Sequence, residues 1–225
     1  MTTQTEPRFF SEFKKSAVTE LLAKSVGIIA KGKDCIAICL NAPSVLYTFL
    51  RDDNEAKVFL WGISGTEAAK RDFLSELNSF MIAFGKLFSP RDLNLAVVSE
   101  FISEYLQENL YSRRSEKPLA LEFFLMQLSC KGEIFYTVID FMGETKSWGA
   151  ESNFIVIGCT DRKAREKINA ALSDMKLDGL SAEELQASLR SLTSDFGGES
   201  FEAELSLGPE EEPKEKPGPG AEEKS

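Results

Sequence analysis

The stretch Pro90–Leu128, PRDLNLAVVSEFISEYLQENLYSRRSEKPLALEFFLMQL, decides how the rest of the chain is read. Leu93, Val97, Val98, Phe101, Ile102, Tyr105 and Leu106 recur at the three- and four-residue spacing of a helix with one buried face, while Glu100, Glu104 and Gln107 fall on the other. The polar, charged connector 111–118, YSRRSEKP, breaks that period. Leu119 to Leu128 then runs almost continuously apolar, as a strand covered on both faces does. A long amphipathic helix therefore hands over to a central strand.

Upstream of this stretch, Glu67 to Leu87 carries a second helical stripe of Phe73, Leu77, Phe80, Met81, Phe84 and Leu87, with Thr66 as its N-cap and Ser89-Pro90 as its break. Lys57 to Ile63 is β-rich, and the less regular run Val45 to Leu50 precedes it across the acidic turn 51–55. Val26 to Ala30 and Cys35 to Leu40 are apolar runs joined by 31–34, KGKD, whose Gly32 and Asp34 are turn formers, so they form a hairpin. Ahead of them Phe9, Phe10, Phe13, Ala17, Leu21 and Leu22 mark an amphipathic helix over 9–24, started near Pro7 or Ser11.

Downstream, Ile134 to Asp140, Lys146 to Trp148 and Phe154 to Ile157 read as strands separated by turns at 131–132 and 142–143. Asp161 caps a helix running to Met175, Ser181 starts another with Glu184 at the capping-box spacing, and Ala203 to Leu207 is a late strand. Helices thus fall in pairs between sets of antiparallel strands. The simplest packing is a four-layer α/β/β/α sandwich, two sheets face to face with helix pairs outside, formed by one domain over 9–208. Residues 1–8 are short, polar and interrupted by Pro7, and read as a mobile N-terminal segment. Residues 209–225, PEEEPKEKPGPGAEEKS, are expected to be a disordered acidic tail, because they hold no large apolar side chain.

Composition narrows the function. The chain has 225 residues, 43% of them hydrophobic, enough for a sizeable core. A net charge of −10 argues against nucleic acid or an anionic membrane as main partner, and the absence of histidine removes the commonest general base at neutral pH. No apolar run reaches the roughly 18 residues of a membrane span, and the N-terminus lacks the layout of a signal peptide, so a cytoplasmic location is expected. Cys35, Cys39, Cys130 and Cys159 sit in apolar, strand-like runs and read as buried free thiols. With no histidine and no second close cysteine pair, neither a metal nor a cofactor is expected.

The order of elements carries a family resemblance. The passage from Tyr105 through the basic connector into Leu125 resembles proteasome subunits. The N-terminal helix leading into 23–26, AKSV, the 41–44 segment NAPS, the 89–92 segment SPRD and the 154–158 segment FIVIG resemble the α-type subunit of the bacterial proteasome, over about Phe10 to Leu207. The resemblance implies the N-terminal nucleophile hydrolase fold and a non-catalytic subunit. Catalytic relatives need an N-terminal threonine at the start of the first strand, its free α-amine as base, a nearby lysine and an aspartate on the neighbouring strand. Here Lys24-Ser25 lacks the Gly-Thr processing junction, the second strand reads Cys39-Leu40-Asn41 where the aspartate belongs, and Lys57 lies near the expected lysine without its partners. Thr2, exposed by loss of Met1, is too far from the first strand to serve.

By resemblance the chain forms a homo-oligomeric ring, a heptamer, that caps a proteolytic β-type ring and gates its entrance with Met1, Thr2, Thr3, Gln4, Thr5, Glu6, Pro7 and Arg8. Phe9, Phe10, Phe13 and Leu22 are the expected ring interface. A ring-shaped ATPase activator would dock in a pocket near Phe49 and Arg51, the nearest cation to a family lysine that Val45 to Phe49 replaces. The alternative is a self-compartmentalising N-terminal nucleophile hydrolase acting without a separate β subunit.

Overall fold

In the computed structural model, which describes residues 6–111, 119–130, 133–147 and 153–206, the first hairpin forms as the sequence predicts. Strand β1 (Val26–Lys31) pairs antiparallel with β2 (Cys35–Ala42), with Val26 opposite Asn41 and Lys31 opposite Ile36. Strand β8 (Phe154–Gly158) flanks β1 and β9 (Glu199–Ser206) flanks β2, completing a four-stranded antiparallel sheet in the order β8-β1-β2-β9. A second antiparallel sheet runs β3-β4-β5-β6-β7, built from β3 (Ser44–Asp52), β4 (Ala56–Ser64), β5 (Leu121–Ser129), β6 (Ile134–Ile139) and β7 (Thr145–Ser147). The described residues hold five α-helices: α1 (Glu6–Leu22), α2 (Glu67–Leu87), α3 (Leu95–Tyr111), α4 (Arg162–Asp174) and α5 (Ala182–Thr193). The fold is mixed α/β, and among the described residues no helix is long and apolar enough to cross a membrane.

The apolar side chains sort into clusters that follow this order. Ile29, Ile36, Ile38 and Leu40 of the first sheet pack with Phe59, Trp61, Phe124 and Met126 of the second. Phe73, Leu77 and Phe84 of α2 and Val98, Ile102 and Leu106 of α3 bury against Leu60, Phe123 and Leu125. Ile168 and Leu172 of α4 and Leu185 and Leu189 of α5 cover Ile28, Ala37 and Cys39 on the outer face of the first sheet. Strand β5 is buried on both faces because alternate side chains enter different clusters, which is why Leu121–Met126 reads as an apolar run broken only by Glu122.

The caps are where the sequence puts them. Thr66 accepts from the Ala69 N–H, Asp161 from Lys163 and Ala164, and Ser181 and Glu184 form a capping box. Ser89 and Asp92 form another around a 3₁₀ turn at Pro90–Asp92, so α3 begins at Leu95 rather than in the Pro90–Leu93 stretch.

Other boundaries move. Helix α1 starts at Glu6, so residues 6–8 of the expected mobile segment are helical, and it ends at Leu22, two residues short of the expected 24. The run expected to be irregular at Val45–Leu50 is the nine-residue strand β3, interrupted only by a bulge between Phe49 and Arg51. Strand β9 starts at Glu199, four residues early, because its glutamates mask the strand signal. Cys130 is exposed in the turn after β5, whereas Cys35, Cys39 and Cys159 are buried as expected. The expected turn at 131–132, Trp148, Leu207, residues 1–5 and the tail 209–225 lie outside the described residues.

Candidate functional site at the start of the first strand

In a hydrolase of the kind the sequence resembles, chemistry would sit where β1 begins, and in this chain that position is built over. Helix α1 ends at Leu22, and a tight turn, with the Ser25 N–H donating to the Leu22 carbonyl at 3.0 Å, delivers the chain directly into β1. Ser25 is fully buried, its carbonyl accepts from the Cys159 N–H at 2.5 Å, and its hydroxyl has no hydrogen-bond partner. The Ser25 nitrogen is thus a bonded amide, not a free amine able to act as a base.

The same end of the molecule holds a buried carboxylate. Glu122 of β5 accepts from the Gly158 N–H of β8 at 2.5 Å, linking one sheet to the other. Arg165 of α4 donates to the carbonyls of Gly158 and Val156, at 3.2 and 2.8 Å. Burial pushes the Glu122 carboxyl above the usual carboxylate range, against the opposing pull of the Gly158 N–H and the Arg165 charge. Gly158 and Cys159 both take positive φ, 65° and 49°, and a Cβ on Gly158 would lie 2.4 Å from the Ile63 side chain and 2.7 Å from the Ser25 carbonyl. Only glycine fits there, and the pair swings the chain to the Asp161 cap.

Helix α1 lies across this end as a strap. Val18 and Leu22 pack with Ala120, the Thr160 hydroxyl donates to the Thr19 carbonyl at 2.5 Å, and Gly65 admits Leu21 where a Cβ would come within 2.8 Å. Toward its other end, buried Lys14 donates to the Asn109 carbonyl in the last turn of α3 at 2.6 Å.

The residues weighed for catalysis are not assembled around Ser25. Asn41 stands opposite Val26 in the ladder, but its amide donates to the Thr193 carbonyl at 3.3 Å. Lys57 opens β4 at the far end from Ile63, which is the residue paired with Glu122. Lys57 and Ile63 are six positions apart on the strand, about 20 Å along the sheet. Lys57 instead faces Asp52 at 3.9 Å. Among the described residues, no group of three or more His, Cys, Asp or Glu could hold a metal ion.

The other site residues are placed as follows. Leu22, expected at a ring interface, is fully buried within its own chain, because the short α1–β1 turn holds it against Val18 and Ala120. Phe9, Phe10 and Phe13 lie on α1, Glu6, Pro7 and Arg8 form its first turn, and Met1 to Thr5 lie outside the described residues. Phe49 is 48% exposed at the edge of the second sheet. Arg51, expected as a docking cation, is engaged within the chain: it pairs with Asp53 at 2.7 Å and Glu55 at 3.3 Å and donates to the carbonyls of Arg91 and Leu93. Its guanidinium holds the Asp53 carboxyl far below the usual range.

Sequence reasoning missed Glu122 and Lys14. A lone acid inside the apolar run 119–128 was a visible signal for the first, while a lysine on an amphipathic helix gives none for the second. A cavity of about 700 Å³ also opens between α4, α5 and the 23–24 turn, floored by Ile168, Leu192 and Phe196. No family model matches the chain, and no curated protein matches it.

Proposed function

We propose that the chain is the non-catalytic α-type subunit of a bacterial 20S-like proteasome, a ring-forming protein that gates entry to a proteolytic β-type ring. The observation that carries this reading is α1 strapped across the start of β1, where a hydrolase of this fold would need a free N-terminal nucleophile. The two sheets with α2–α3 against one and α4–α5 against the other support the four-layer arrangement that the proposal requires. The gate then comprises residues 1–8, of which 6–8 are the first turn of the strap, the ring is a heptamer, and the partners are a β-type subunit and a ring-shaped ATPase. With Arg51 occupied, the activator's docking cation is a different residue.

A second reading, the hydrolase without a β partner, is favoured by one observation, the buried and unpartnered Ser25 hydroxyl at the strand start. It requires hydrolysis of the Lys24–Ser25 peptide bond to free the Ser25 amine. Mass spectrometry of the purified protein, together with a fluorogenic peptide assay alone and with a β-type partner, separates the two. The first reading expects a chain that retains α1, no cleavage alone, and capped particles by electron microscopy with the partner. A chain beginning at Ser25 with intrinsic peptidase activity would overturn it.

A further inference from the structure

The two sheet edges that meet along one side of the molecule are guarded differently. Strand β9 carries the exposed side chains Glu199, Glu202 and Glu204, a common device against edge pairing. Strand β3 carries no charge from Ser44 to Leu50, and among the described residues its outer edge pairs with no strand. It also displays Tyr47 and Phe49, 39% and 48% exposed, which run inward through ring contacts from Phe49 to Phe59 at 4.9 Å and from Tyr47 to Trp61 at 5.6 Å. Strand β9 touches this edge at two points, the Val45 N–H donating to the Glu199 carboxylate at 3.0 Å and the Tyr47 ring stacking on Phe201 at 5.0 Å.

The chemistry of this edge reads the same in both directions about Thr48: Leu46 and Leu50 flank Tyr47 and Phe49. We propose that β3 is a self-recognition edge, pairing antiparallel with β3 of a second copy about a two-fold axis at Thr48. In that register Tyr47 of each copy stands opposite Phe49 of the other, so four exposed rings meet on one face, and cross-strand aromatic pairs are among the stronger sheet contacts. The paired stretch from Leu46 to Leu50 carries no charge, so a chain of net charge −10 brings no like charges together within it. The bulge after Phe49 limits the pairing to a few residues, so the contact is modest in strength. Being two-fold, it closes on itself and is separate from the head-to-tail contacts of a ring.

Site-directed cross-linking tests this on the full chain. Thr48→Cys in a Cys130→Ser background places a thiol on the axis, and a short bismaleimide should convert the protein largely to covalent dimer at tens of micromolar. Glu204→Cys in the same background, on the guarded edge, should remain monomeric on a denaturing gel. Adding Phe49→Lys to the Thr48→Cys protein should reduce the dimer at least fivefold. Absence of the Thr48→Cys dimer, equal cross-linking from Glu204→Cys, or indifference to Phe49→Lys would each overturn the inference. Rings seen by electron microscopy without the Thr48→Cys dimer would sink it and leave the proposed function standing.

Discussion

The carboxylate of Glu122 and the backbone N–H of Gly158 join the two sheets at the end where β1 begins. The bond sits in an almost dry site, and burial raises the proton affinity of the Glu122 carboxyl in the folded chain. Because the folded value is raised above the unfolded one, the folded state binds more protons between the two, and stability falls as pH rises through that window. Glu122→Gln keeps an acceptor for Gly158 and cannot ionise. It is expected to melt several degrees above the wild type at pH 7 and to match it near pH 4. Thermal unfolding of both proteins across that range checks this, and equal melting temperatures at pH 7 would refute it.

Arg51 gives a second prediction, and one that separates structure from docking. Its guanidinium ties the β3–β4 turn, through Asp53 and Glu55, to the carbonyls of Arg91 and Leu93 ahead of α3. Hydrogen bonds to charged groups contribute about 1.5–3 kcal/mol each at most, and a lysine cannot reproduce a planar fork. Arg51→Ala should lower the urea midpoint clearly, and Arg51→Lys should recover less than half of the loss. An unchanged midpoint in Arg51→Ala would show that the residue is free for a ligand after all.

How much of this was readable in advance depended on whether a signal was local. Thr66, Asp161 and Ser181 announce their helices because a cap acts within three residues, and the stripes of α2 and α3 follow from spacing alone. Lys14 and Glu122 were not assigned because what buries them lies 95 and 36 residues away along the chain, at Asn109 and Gly158. Strand β9 was read short for a related reason: an edge strand shows one polar and one half-buried face, and its glutamates look like a loop until β2 is beside it. That Lys24-Ser25 is not a Gly-Thr junction is legible in residue types, but the strap over Ser25 is not.

Cys130 shows the same limit and yields a third prediction. Its flanking run is apolar, yet it falls in the turn after β5 and is exposed, while burial pushes the Cys35, Cys39 and Cys159 thiols up. Thiolates are the reactive form, so a disulfide reagent at neutral pH should titrate one thiol rapidly and the other three only after denaturation. Cys130→Ser should abolish the fast phase. Two or more fast thiols in the native protein would contradict the placement of the buried three.

The last prediction concerns what holds the strap. Lys14 places its ammonium on the Asn109 carbonyl at 2.6 Å, in the final turn of α3, where helix carbonyls lack intrahelical partners and a cation complements the dipole. Its stem is buried, so packing and charge can be separated by substitution. Lys14→Met keeps the apolar stem and loses the donor, at a cost of about 1.5–3 kcal/mol. For a domain of this size that corresponds to roughly 3–12 °C in melting temperature. Lys14→Ala loses the packing as well and should fall further. Because the Thr160–Thr19 bond and the Val18 and Leu22 contacts remain, the effect should be local, with amide exchange accelerating across the first turns of α1 before it does in β1. Uniform acceleration through β1 and β2 would mean that α1 is part of the cooperative core, and that any gate in this protein must move ahead of Glu6 rather than through the helix.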